Sequence, residues 1–133
     1  MSSADLIIEY SKNPSNKGIL ENATIRYREH NRVCADVVEV FLIIENGELR
    51  QFMFDGYMSI VATACVSITG ELLEGWKLDD ILKLNEGFIH ENIGTDISPR
   101  RRYASLIGIL AIKNAIHEWR QDGKKEDFSD IVI

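Results

Sequence analysis

The stretch DVVEVFLIIENGELRQFMF, residues 36–54, decides the fold. Between Asp36 and Glu45, Val38, Val40, Leu42 and Ile44 recur at period two, which predicts a strand with one apolar face. Asn46-Gly47 follows, the dipeptide best suited to a two-residue turn between antiparallel strands. Glu48 to Phe54 then alternates again, with Leu49, Gln51 and Met53 expected opposite Arg50, Phe52 and Phe54. Upstream, Ala23 to Glu29 is rich in β-branched and aromatic residues and predicts a further strand beside this hairpin.

Helical signals flank the strands. Ala4 to Tyr10 predicts a short helix with Leu6, Ile7 and Tyr10 on one side, ended by Asn13-Pro14. From Ser59 to Leu73, Val61, Cys65, Ile68 and Leu72 form a stripe at helical spacing. Ser59 is placed to cap that helix and Gly75 to end it. Leu78 to Leu84 predicts a short helix. Pro99 suits the first turn of a long one that runs to about Arg120 and is apolar around much of its girth. Strands first and helices after predict an α+β fold, a small three-stranded antiparallel sheet with helices packed on one face.

Size and charge narrow the function classes. A chain of 133 residues is read as one domain, 1–133, large enough to bury its own core. The net charge of −6 argues against nucleic acid as a partner. No apolar run reaches the length of a membrane span, and the first residues lack a signal-peptide pattern, so a cytoplasmic location is expected. The polar stretch within 121–133 reads as a solvated, mobile tail. Cys34 and Cys65 are the only cysteines and form no Cys-x-x-Cys pair.

The segment YSKNPSNKG, residues 10–18, resembles the Asn-Pro-x-Asn-x-Gly signature of NifU/IscU-type iron–sulfur cluster assembly scaffolds. Cys34-Ala35-Asp36 sits where that family has Cys-Gly-Asp, its first cluster ligand and a nearby carboxylate. Phe54, then Glu71, Gly75, Leu78 and Asp79, and finally the 111–116 segment AIKNAI, match further family positions in order. The resemblance implies the fold just derived, and a scaffold of iron–sulfur cluster assembly rather than an enzyme. It also implies an iron–sulfur cluster, iron or zinc as the bound species. Implied partners are a cysteine desulfurase, other assembly proteins and a second copy in a homodimer. By the same resemblance Cys34 and Asp36 are the residual metal-binding pair. The family's second cysteine falls on Ser59, with Met58 in place of the preceding glycine, and its third on Ala104 or, one register over, Tyr103. One thiolate and one carboxylate do not complete a four-coordinate site.

The remaining candidates divide between function and packing. Cys34 reads equally as a residual sulfur acceptor or metal ligand and as an ordinary thiol. Cys65 lies in an apolar stripe and reads as core. Arg100-Arg101-Arg102 opens a helix, where positive charge opposes the macrodipole. It reads first as a solvated face paired with nearby acids, and second as a partner patch. His30, His90 and His117 show no ligand spacing and are expected at the surface. No nucleophile triad, phosphate-binding loop or carboxylate pair marks an enzyme. Two alternatives stay open: a divergent paralogue acting as a protein-interaction module without metal, and a zinc or iron protein formed by dimerisation around Cys34.

Overall fold

The computed structural model describes residues 2–133. Helix α1 covers Ser3–Lys12, strands β1, β2 and β3 cover Ile25–Asn31, Asp36–Glu45 and Glu48–Tyr57, and α2 covers Ile60–Leu73. Three further helices follow: α3 at Leu78–Ile81, α4 at Glu86–Asn92 and, after a 3₁₀ turn at Pro99–Arg101, α5 at Arg102–Arg120. A last turn, α6, spans Phe128–Ile131. The strands form one antiparallel sheet in the order β1-β2-β3. α5 lies against β1 and β2, α2 against β3 and α5, and α1 against α2. This is the predicted α+β arrangement.

The hairpin follows from its turn. Asn46 and Gly47 both take left-handed backbone angles, φ 54° and 71°, so the two-residue turn matches the twist of the strands it joins. Val38, Val40, Leu42 and Ile44 point into the core as the period predicts. The alternation expected for β3 is corrected by a bulge. Ile44 faces Leu49 but Ile43 faces Gln51, so Arg50 is an extra residue. Leu49 therefore joins Phe52 and Phe54 in the core rather than Gln51 and Met53. On the opposite face Phe41 is also fully buried, with the Arg26 guanidinium 4.9 Å above its ring.

The stripe predicted for α2 is too narrow. Burial runs around most of the helix from Ala62 to Gly70, including Ala62, Ala64, Val66, Ser67, Thr69 and Gly70, whereas Leu72 is 41% exposed. A helix packed between α1, α5 and β3 has little face left for water. Gly70 shows how close the packing is: a Cβ there would lie 2.0 Å from the Phe52 ring. The Asn-Pro-x-Asn-x-Gly segment stitches α2 to the sheet. The Asn16 amide donates to the Ser67 carbonyl (3.0 Å) and accepts from the Ser67 hydroxyl (2.7 Å). The Gly18 N–H donates to the Phe54 carbonyl and the Phe54 N–H to that of Asn16, closing the β3 edge.

Sequence periodicity does not reveal α4 or α6. Both are single- or two-turn helices held by caps, Asn85 onto Gly87 N–H and Asp127 onto Ser129 N–H. Within the stretch read as a solvated tail, Ile131 is fully buried and Phe128 and Val132 pack on the core. No helix among the described residues is long and apolar enough to cross a membrane.

Candidate functional site

Three loops meet at one end of the sheet: the β1–β2 turn, the β3–α2 junction and the 3₁₀ turn before α5. The β1–β2 turn carries Cys34 because Asn31 and Asp36 bracket it. The Asn31 side chain donates to Asp36 Oδ2 (3.1 Å), and its oxygen accepts from the Val33 N–H (3.2 Å). Ala35 takes a left-handed φ of 56°. A residue with a Cβ is disfavoured there by about 1 kcal/mol, and the resembled motif has glycine at that position. The turn keeps its shape against this strain because its neighbours fix it.

Asp36 is buried, and both its oxygens are committed. Oδ2 takes Asn31, and Oδ1 accepts the Ser59 N–H at 2.7 Å. That bond ties the β1–β2 turn to the start of α2. Ser59 is the helix cap predicted from sequence, its hydroxyl accepting from the Ala62 N–H at 3.2 Å. The 3₁₀ turn closes over Cys34. The Cys34 thiol lies 3.7 Å from the Arg100 carbonyl, and Arg101 Nη1 donates toward its sulfur at 3.6 Å. Ala104 is fully buried in the core, and Tyr103 is stacked on Phe128 with ring centroids 4.4 Å apart.

The arginine run has three different fates. Arg100 is exposed. Arg101 faces Cys34. Arg102 forms a bidentate pair with the buried Glu86, its Nε 2.7 Å from Oε2, and donates to the Ile133 carbonyl at 2.8 Å. The Arg102 guanidinium holds the Glu86 carboxyl below its ordinary range. The expected solvated face paired with nearby acids is met at Arg102 alone, and its partner is the buried Glu86, on a helix the sequence does not reveal.

Histidine placement is corrected at one position. His117 is buried, with Nδ1 2.7 Å from Asp122 Oδ2 and Nε2 2.7 Å from Glu126 Oε2. Its acidic partners lie beyond the end of α5, where the chain reverses, so helical spacing could not show them. His30 is exposed and His90 half-exposed.

As a metal site the donor set does not fit. Cys34 supplies one thiol and Asp36 one buried carboxylate, the Ser59 hydroxyl caps α2, and Ala104 offers no donor, so the set falls short of four ligands. Among the described residues, no group of three or more His, Cys, Asp or Glu side chains is arranged to hold a metal ion. Exposed apolar side chains occur on the same loops: Val33 at 73%, Tyr57 at 86% and Ile60 at 65%.

The two cysteines differ sharply in environment. Burial pushes the Cys65 thiol up to about 12, whereas Cys34 is half-exposed. A thiol held that far above its ordinary range is almost wholly un-ionised at pH 8, and the thiolate is the form that reacts. Brief iodoacetamide treatment is therefore expected to label Cys34 and leave Cys65 untouched until the chain unfolds, as read by peptide mass spectrometry. Faster labelling of Cys65 would contradict the packing of α2.

A small antiparallel sheet, covered by α2 and α5 and ending in three loops around Cys34, defines the class of protein. The chain belongs to the NifU-like N terminal domain family, whose model matches residues 2–126. It is similar to the iron-sulfur cluster assembly scaffold protein IscU 1 of Archaeoglobus fulgidus, at 22% identity over 131 residues, covering 98% of this chain and 85% of that protein. In structure it resembles a NifU-like N-terminal protein from Brucella abortus, with a TM-score of 0.72 and 18% identity over 92% of this chain and all of that one. It also resembles a putative iron-sulfur cluster assembly scaffold protein for the SUF system from Fervidobacterium islandicum, with a TM-score of 0.73 and 20% identity over 84% of this chain and 94% of that one. These structures share the fold.

Proposed function

We propose that this chain serves iron–sulfur cluster assembly as a non-enzymatic, scaffold-like carrier or adaptor with an incomplete ligand set of its own. Membership of the NifU-like family over residues 2–126 carries the reading, together with relatives named as assembly scaffolds. Its residual functional pair is Cys34 and Asp36, with Ser59 and Ala104 or Tyr103 at the positions of the missing ligands. Cys34 is the reactive group, and Asp36 acts by fixing the loop that presents it. The cluster, iron or zinc is cargo shared with a partner rather than a resident cofactor. The partners in this reading are a cysteine desulfurase and other assembly proteins, met at the Cys34 end, where Arg100 is the free charge of the arginine run. Two copies meeting at Cys34 would bring two thiolates together.

The test has two parts. Protein purified without oxygen is expected to carry little iron and less than one zinc per chain, because isolated thiolates hold these metals weakly. The same protein is expected to bind a cysteine desulfurase or a complete scaffold in a pull-down, and to lose that binding when Val33, Tyr57 and Arg100 are replaced together. Stoichiometric metal that survives gel filtration of the monomer would refute the incomplete site. Failure to bind any assembly protein would refute the assembly role.

A further inference from the structure

After Arg120 the chain reverses through Gln121, in the left-handed region at φ 52°, and returns along α5. Three α5 side chains within about one turn, Lys113, Asn114 and His117, fasten this return. Lys113 Nζ lies 2.7 Å from Glu126 Oε1, and His117 bridges Asp122 and Glu126. The Asn114 amide reads the backbone of Glu126 in both directions, donating to its carbonyl at 2.9 Å and accepting from its N–H at 2.8 Å. The segment then reaches the other end of the helix. Phe128 stacks on Tyr103, Ile131 enters the core, and residue 133 engages Arg102 and Glu86 through its backbone (Arg102 Nη2 to the carbonyl 2.8 Å, Ile133 N–H to Glu86 Oε1 3.1 Å).

We propose that residues 121–133 are a releasable strap that holds the Arg100–Tyr103 turn against Cys34, so that lifting the strap takes the thiol from half-exposed to open. The link is covalent and short. Tyr103 and Arg102, which the strap holds, directly follow Arg100 and Arg101, whose carbonyl and guanidinium lie 3.7 and 3.6 Å from the Cys34 sulfur. The fastening is of a kind that opens at low cost. Lys113, Asn114 and His117 are buried polar groups beneath the strap, and water can replace its hydrogen bonds when it lifts. Only the strap's few apolar side chains, chiefly Phe128, Ile131 and Val132, resist opening by burial. Such a segment opens locally at a fraction of the global unfolding free energy. Its middle, Lys124-Lys125, is exposed and offers a protease a direct report of opening.

The regulatory meaning rests on the reading of Cys34 as the functional thiol, but the gate is measured by alkylation whether or not the chain binds an assembly partner. In Asn114→Ala/Phe128→Ala protein, trypsin cleavage after Lys124 or Lys125 and iodoacetamide labelling of Cys34 are both expected to rise by about tenfold or more, with Cys65 still protected. Faster cleavage with Cys34 labelling unchanged would show that the strap does not gate the thiol. Unchanged cleavage would show that these contacts do not fasten it; either result overturns the proposal. If Cys65 labels as well, the double variant has unfolded. His117→Gln, which removes the bridge to Asp122 and Glu126 and no apolar core side chain, is then judged by the same two rates.

Discussion

Zinc affinity is expected to rise by about a hundredfold or more when Ser59→Cys and Ala104→Cys are combined, because metal–thiolate bonding dominates the free energy of small sites. The native chain offers one thiol at this end of the fold, and the Asp36 carboxylate two residues on is buried and anchors the loop through the Ser59 N–H and Asn31. Adding two thiolates gives three soft anionic donors, and water or an external thiol completes the tetrahedron. The gain is opposed by two costs. Ser59 loses its capping hydroxyl, worth about 1 kcal/mol. A sulfur at position 104 enters a site with no exposed surface, where overpacking costs about 1–3 kcal/mol. The metal-free double variant should therefore melt earlier than the native chain, and saturating zinc should reverse the loss by mass action. Competition against a chromophoric chelator measures the affinity. A folded double variant that binds no better than the native chain, with Tyr103→Cys in place of Ala104→Cys failing too, would mean that these positions do not converge on Cys34.

Asp36→Ala is expected to cost about 3 kcal/mol, since it leaves two donors facing a void where each unsatisfied buried group costs about 1–3 kcal/mol. The carboxylate is 1% exposed and joins two loops distant in sequence, through the Ser59 N–H at 2.7 Å and the Asn31 amide at 3.1 Å. In a chain of this size that loss lowers the melting temperature by roughly 10 °C. Asp36→Asn keeps one acceptor oxygen for Ser59 and should recover part of the difference. A melting temperature within a degree or two of the native value for Asp36→Ala would remove the anchoring role. The result also decides how Asp36 variants are read in metal experiments: lost binding with lost stability reports the loop, not a ligand.

Local signals carried much of this fold. The limits of β2, the Asn46-Gly47 turn and the Ser59 cap each depend on residues adjacent in sequence, and each stands where periodicity and turn chemistry put it. What escaped depends on neighbours far along the chain. The bulge at Arg50 is a property of pairing with Ile43 and Ile44, not of β3 alone. α2 is buried over more than one face because α1, α5 and β3 all reach it, which a one-face pattern cannot express. The buried state of His117 depends on acids across a chain reversal. In the site, the residue types at 34, 36, 59 and 104 were readable, but not their present occupations. Nothing local says that Asp36 is spent on a backbone N–H or that Arg101 faces the thiol.

Ser59 sits at a mechanical junction. Serine is among the strongest helix-capping residues, and its hydroxyl serves the α2 N-terminus. Its N–H meanwhile holds the Asp36 carboxylate, which in turn holds Asn31 at the foot of the Cys34 loop. One residue thus hinges a helix end to a loop that precedes it by more than twenty positions. Fraying of the first turn of α2 is transmitted to the thiol without any contact between Ser59 and Cys34.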